Sequence, residues 1–202
     1  MENHIFKDGK PVEIERKYLI KMPDVRVLEC QPNYGSSRIE QAYIKGDGVH
    51  KGGRIRKRQF EKECRYYKTF KEDLGGISRI EIESEISESE YNELMKNKLE
   101  DTRVIKKVRH CFEFDGKLME LDIYDFWSDT ATLEVELKSE QERVNLPHFI
   151  EVIKDVSEDK AYRNFSLAKG TESSDSLSYE QMNDKGDRIF QICSPLEMRN
   201  EL

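Results

Sequence analysis

VEIERKYLI, residues 12–20, has the period-two pattern of a β-strand, with Glu13, Glu15 and Lys17 on one face and Val12, Ile14 and Tyr18 on the other. A strand of this kind in an antiparallel sheet ordinarily turns its charged face to water. The same pattern recurs along the chain. In SRIEIESEI (78–86), Arg79, Glu81, Glu83 and Glu85 oppose Ile80, Ile82 and Ile86, and in GGRIRKR (52–58), Arg54, Arg56 and Arg58 share a face. In KKVRHCF, Lys107 and Arg109 oppose Val108 and Phe112; in MELDIYDF, Glu120 and Asp122 oppose Met119, Leu121 and Ile123. In LEVELK, Glu134, Glu136 and Lys138 oppose Leu133, Val135 and Leu137, and in TFK, Thr69 and Lys71 oppose Phe70.

Taken singly, each face reads as the solvated side of an amphipathic strand. Taken together, the faces are almost wholly ionic and sorted by sign, Glu-x-Glu on some strands and Arg-x-Arg or Lys-x-Arg on others. Like charges two apart on one strand face repel, so they need an opposing charge or a bound ion. Two architectures follow. An ordinary β-sandwich would point these faces to bulk water. A closed barrel would point them into a wet lumen, because dry unpaired charge is prohibitively costly. Clustered carboxylates are hard-oxygen ligands for Mg²⁺ or Mn²⁺, and Arg and Lys clusters read phosphate. A lumen with both suits a metal-chelated polyphosphate.

The spacing predicts strands over 12–20, 39–46, 53–59, 65–72, 78–87, 103–114, 118–125 and 132–138, with turn residues at GDG (46–48), GG (52–53), EDLGG (72–76) and DG (115–116). Ser87 with Glu90 forms a capping box ahead of Tyr91, Leu94 and Met95; Ser139 with Glu142 predicts a second, short helix before Pro147. Further helical stretches are expected at 23–30 and 159–169.

At 202 residues the chain is long enough for one domain with a substantial core. The net charge of −7 argues against a nucleic-acid groove, but it is unevenly spread. Residues 171–202 hold seven acids against three bases, so that segment carries −4 and the rest −3. The expected organisation is a domain over 1–170 followed by an acidic tail over 171–202, flexible or docking back through Ile189, Phe190 and Ile192. Cys30, Cys64, Cys111 and Cys193 include no CxxC pair, which reads as reduced thiols, neither a zinc site nor a disulfide framework. The N-terminus lacks the apolar run of a secretory signal, and no segment approaches the roughly 18 to 20 apolar residues that span a bilayer. A cytoplasmic protein without membrane or nucleic-acid partners is expected, as a monomer or homodimer.

The order of the charged motifs resembles the CYTH superfamily, the triphosphate tunnel metalloenzymes. ExExK (13–17) is followed by RxR (54–56), TxK (69–71), RxExE (79–83), KxR (107–109), ELDIY (120–124) and ExE (134–136). A closing segment EVIKD…KAYRNFSLA (151–168) is similar too, so the resemblance covers about residues 11–170. It implies a mainly β fold, an eight-stranded antiparallel closed barrel with a charged interior and a few flanking helices, and one or two Mg²⁺ or Mn²⁺ ions. By this resemblance Glu13, Glu15, Asp122, Glu134 and Glu136 are metal ligands. Arg54, Arg56, Lys71, Arg79, Lys107 and Arg109 form a phosphate cradle, with Lys160 capping the tunnel near the terminal phosphate. Lys17, Glu81 and Glu83 are catalytic, Lys17 at phosphate or nucleophile and the two glutamates at the metal and water. The chain departs from the family pattern in one turn and at one residue: Asp129–Thr132 stands where relatives often have a glycine-leucine turn, and Ile153 stands where a threonine is common.

The implied activity is metal-dependent hydrolysis of a triphosphate, inorganic tripolyphosphate ahead of thiamine or nucleoside triphosphates. The alternatives are a class IV adenylate cyclase, which shares the phosphate machinery, and a non-catalytic polyphosphate- or nucleotide-binding module. Base recognition would need an aromatic platform at the tunnel mouth. The single tryptophan, Trp127, falls at a predicted turn and reads as a local packing staple.

Overall fold

The computed structural model of the protein describes residues 5–7, 10–46 and 52–170, so the expected tail over 171–202 lies outside the described residues. The strands are β1 (Ile5–Lys7), β2 (Lys10–Lys21), β3 (Gly35–Lys45), β4 (Gly52–Gln59), β5 (Cys64–Gly75), β6 (Ser78–Ile86), β7 (Ile105–Phe114), β8 (Lys117–Tyr124), β9 (Thr130–Glu136) and β10 (Val152–Asp155). Between and after them come α1 (Val25–Glu29), α2 (Glu88–Met95), a 3₁₀ turn (Lys160–Tyr162) and α3 (Asn164–Ala168).

Eight strands run antiparallel in the order β2-β6-β5-β4-β3-β7-β8-β9, and β9 pairs back onto β2, which closes the barrel. Each expected strand is present with boundaries moved by a few residues. Tight turns fall where the sequence supplies residues that accept positive φ: Gly75 (93°) and Gly76 (59°) between β5 and β6, Asp115 (52°) and Gly116 (68°) between β7 and β8. The seam between β2 and β6 is short, running only from Val12 to Ile14. The same edge of β2 is then taken up by β10, which pairs with Tyr18–Ile20.

The apolar faces point outward. Ile14, Ile20, Met119, Leu121, Leu133 and Val135 form a buried layer on one side of the wall, covered by Leu28 of α1 and by Leu137 and Ile150 from the segment after β9. On the other side, Ala42, Ile44 and Ile55 are covered by Tyr91 of α2, with Leu94 and Met95 against them. Each such fully buried aliphatic side chain contributes roughly 1.5–3 kcal/mol, so the outer coat is the hydrophobic core of this fold. α2 starts at Ser87 as expected, its side chain accepting from Glu90 N at 3.1 Å.

The helix expected from Ser139 and Glu142 is absent. Glu142 Oε2 instead accepts from Lys138 N at 2.7 Å and pairs with Lys117 Nζ at 3.1 Å, and the segment lies flat so that Val144, Leu146 and Phe149 reach the wall. The 159–169 stretch is broken by Arg163 in extended conformation. That break lets Tyr162 pack with Leu19 and Val156 while Leu167 and Ala168 pack with Ile105 and Tyr124. These two clusters close one end of the barrel. No helix among the described residues is long and apolar enough to cross a membrane.

Candidate active site

Register decides which residues face the lumen, because directly opposite residues of an antiparallel pair share a face. Lys17 stands opposite Glu134 and Glu15 opposite Glu136. Glu13 stands opposite Arg79, Lys71 opposite Glu81, Thr69 opposite both Glu83 and Arg54, and Arg109 opposite Asp122. The sequence-sorted charges of separate strands are thereby brought into one chamber, carboxylate against cation except where Glu15 meets Glu136.

Inside, the charges are interlinked. Lys17 Nζ lies 3.0 Å from Glu134 Oε1, and Arg109 reaches Glu134 Oε2 at 2.7 Å as well as Glu120. Arg54 Nη2 donates to Glu81 at 2.9 Å, and Arg56 Nη2 donates to Glu83 at 2.9 Å. Lys71 bridges Glu81 and Glu13, and Arg79 pairs with Glu15. Side-chain exposure climbs from 0% at Asp122 and 1% at Lys107 to 30% at Glu13 and 31% at Lys71, so the network runs from a dry interior to a wet opening.

Crowding shows in the titration of these groups. Burial pushes Glu13 up to about 8, with Glu15 and Glu81 adding to the effect and Lys71 opposing it. Burial works in the same direction on Glu81, but Lys71, Arg54 and a hydrogen bond with Glu13 outweigh it and hold Glu81 well below the usual carboxylate range. One proton between two neighbouring carboxyls is the arrangement that a divalent cation would replace. Glu15 is likewise raised by burial and by Glu134. Burial lowers Lys107 to about 8 against the attraction of Asp122. On the cationic side, the buried Nε atoms of Arg54 and Arg56 have no hydrogen-bond acceptor among the described residues, so part of each guanidinium is left for another ligand. Oxygen ligands crowded enough to share a proton fit a hard cation, and spare guanidinium donors fit phosphate.

Of the expected metal ligands, Glu13, Glu15 and Glu134 lie in this chamber, and Glu136 sits exposed at the end of β9. Asp122 differs from expectation. It has no exposure; Oδ1 accepts from Arg109 Nε at 2.7 Å, and Oδ2 accepts from Arg109 Nη2 at 2.6 Å and from Lys107 Nζ. Its charge anchors two buried cations, Lys107 and Arg109. The cradle residues Arg54, Arg56, Lys71, Arg79, Lys107 and Arg109 all join the network. Lys160 does not: its side chain is exposed on the 3₁₀ turn, because Tyr162 and not Lys160 occupies the barrel end. Glu81 and Glu83, expected at the water, are held against Arg54 and Arg56. Among the described residues no three acidic, histidine or cysteine side chains form a ready-made metal cluster, the carboxylates being turned to cations. Trp127 is a packing residue, edge-on to Tyr124 and Tyr162 in the barrel floor.

Sequence reasoning passed over Gln41, Tyr43 and Tyr124, which also face the lumen. Gln41 is opposite Arg56 and Tyr43 opposite Arg54. The signal was present in the period-two spacing of β3, but neutral side chains do not stand out in a pattern read from charge.

The CYTH domain family model matches residues 12–166. An inorganic triphosphatase of Acetivibrio thermocellus is 32% identical over 160 residues, covering 78% of this chain and 93% of the relative. A solved structure described as the inorganic triphosphatase NE1496 is 27% identical with a TM-score of 0.50, covering 83% of this chain and 97% of the other. The barrel closure, the order of the charged strands and these matches agree: the chain belongs to the CYTH domain family.

Proposed function

We propose that the protein is a divalent-metal-dependent hydrolase of triphosphates, with inorganic tripolyphosphate as its principal substrate and Mg²⁺ or Mn²⁺ as its cation. The observation that carries this reading is the closed lumen in which Glu13, Glu15 and Glu134 face Arg54, Arg56, Lys71, Arg79 and Arg109. The name of the 32%-identical relative points the same way. Glu13, Glu15, Glu134 and Glu136 would hold the cation, which when bound supplies charge neutralisation at phosphate oxygens and activation of water.

The chain's own residues do the rest. Arg54, Arg56, Lys71 and Arg79 exchange carboxylate partners for phosphate oxygens, and their guanidinium and ammonium charge stabilises the charge that develops on the leaving diphosphate. Glu81 and Glu83 aim Arg54 and Arg56 along the lumen. Asp122 fixes Lys107 and Arg109, which set the positive field behind Glu134. Lys17, buried between Glu134 and the floor, is held above the usual lysine range, because burial lowers it but the carboxylate of Glu134 outweighs that effect. It serves as a fixed cation for the phosphate at the inner end. Trp127, packed edge-on to Tyr124 and Tyr162, is committed to the floor and offers no platform for a base.

A single panel tests the reading. Tripolyphosphate, thiamine triphosphate and ATP are each incubated with Mg²⁺ or Mn²⁺, and orthophosphate, diphosphate and cyclic AMP are measured together. Orthophosphate release from tripolyphosphate is expected. Cyclic AMP as the main product from ATP would establish the cyclase instead, and binding without any product would establish a non-catalytic module.

A further inference from the structure

We infer that Gln41, on the lumen face of β3, positions the water that attacks the terminal phosphorus; this rests on the triphosphatase reading. Gln41 stands directly opposite Arg56 on one side and Ile105 on the other, which turns its side chain inward. It has no solvent exposure. Its amide Nε2 donates to Tyr43 Oη at 3.0 Å, and its carbonyl Oε1 has no partner among the described residues. Tyr43 in turn feels the charges of Arg54, Lys17 and Glu134, which puts this amide at the inner part of the ionic chamber.

A buried carbonyl without a donor is costly, so something that enters the lumen must supply one. The nearby cations do not: Lys17 and Arg109 are turned to carboxylates, Arg54 and Arg56 donate through Nη2 to Glu81 and Glu83, and the Nε atoms of Arg54 and Arg56 meet no acceptor among the described residues, Gln41 Oε1 included. Phosphate oxygens of an ionised triphosphate accept hydrogen bonds and cannot satisfy another acceptor. Water carries two donor hydrogens and is the co-substrate of the hydrolysis. Held by Oε1 through one hydrogen, it presents a lone pair toward phosphorus. In the step itself, the water oxygen bonds to the terminal phosphorus while the bridging P–O bond breaks and diphosphate leaves with its electron pair. One water proton passes to a lumen carboxylate and the other stays on the orthophosphate. Gln41 accepts a hydrogen bond and is never protonated, so it is a positioning residue.

The test compares wild type with Gln41→Met, which keeps the volume without the acceptor, and Gln41→Glu, which keeps the acceptor without the donor. Steady-state hydrolysis of tripolyphosphate with Mg²⁺ separates kcat from KM, and thermal unfolding monitors the fold. Gln41→Met is expected to lower kcat about 100-fold with KM and Tm close to wild type, as for a misplaced reacting group. Gln41→Glu is expected to recover most of kcat while raising KM, through its added negative charge beside the phosphates. Rotating the amide would turn Nε2 to the lumen as a donor; Gln41→Glu falling as far as Gln41→Met would show that and overturn the proposal. So would an unchanged kcat in Gln41→Met, or a joint loss of Tm and KM. Should Gln41→Met fail to fold, Gln41→Asn, which withdraws the carbonyl by one methylene, carries the same kcat expectation and the same refutation. A wild-type protein that releases no orthophosphate would sink the triphosphatase reading itself, whereas activity indifferent to position 41 would sink the Gln41 assignment alone.

Discussion

Asp122→Asn separates an ion-pair anchor from a metal ligand. In the folded protein Asp122 is completely buried, and its two oxygens accept from Arg109 Nε at 2.7 Å, Arg109 Nη2 at 2.6 Å and Lys107 Nζ. Asparagine keeps the shape but turns one oxygen into an NH₂ group, so at least one cationic donor then faces a donor. Lys107 and Arg109 also lose the charge that compensates their burial. Removing one partner of a buried pair costs about 3–5 kcal/mol. For a domain of this size each kcal/mol moves Tm by roughly 2–4 °C, so the expected loss is about 6–20 °C. Urea and thermal unfolding read the stability, and Mn²⁺ titration of the folded fraction reads the cation site. Adding Lys107→Met in the Asp122→Asn background removes one stranded cation and recovers part of the loss, which a double-mutant cycle would register as coupling. The reasoning is refuted if Asp122→Asn leaves stability within about 0.5 kcal/mol of wild type, as an ordinary surface change would, while Mn²⁺ affinity falls tenfold or more.

Two further outcomes follow from the same chamber. Glu13→Gln with Glu15→Gln should abolish cation-dependent turnover while Tm holds or rises, because two crowded carboxylates become neutral; near wild-type hydrolysis in the double variant would contradict the assignment of the cation site. Glu13, with its carboxyl raised to about 8, adds stability that is complete below its usual 4.5 and fades as pH rises through 8. The cation-free protein should therefore lose Tm over that interval, with Glu13→Gln giving a flatter profile and added Mg²⁺ restoring Tm at the alkaline end; profiles of wild type and variant that superimpose would show Glu13 to be an ordinary solvated carboxyl.

Much of the architecture was legible because strand periodicity is a local property. The alternation in VEIERKYLI and its counterparts marked each wall strand, and GG and DG marked the hairpins whose positive φ angles the fold uses. The list of ionic residues was legible for the same reason. The short strands β1 and β10 were not, since three and four residues carry too little pattern to register. The absent helix after Ser139 shows the converse: a capping box is a local preference, and here the outer wall's demand for Leu137, Val144 and Leu146 overrides it.

From the sequence alone came the strands, their charged and apolar faces, and the family-like order of motifs. That the charged faces point inward is a property of closure, since β9 returning to β2 is what turns one face of every strand into a lumen. Pairing partners likewise depend on which strands become neighbours. Asp122 and Glu134 read alike as acids in alternating strands, yet one is locked between Lys107 and Arg109 while the other is shared by Lys17 and Arg109. Coulombic partnership is set by distance through space, and distances between strands exist only once the barrel has closed.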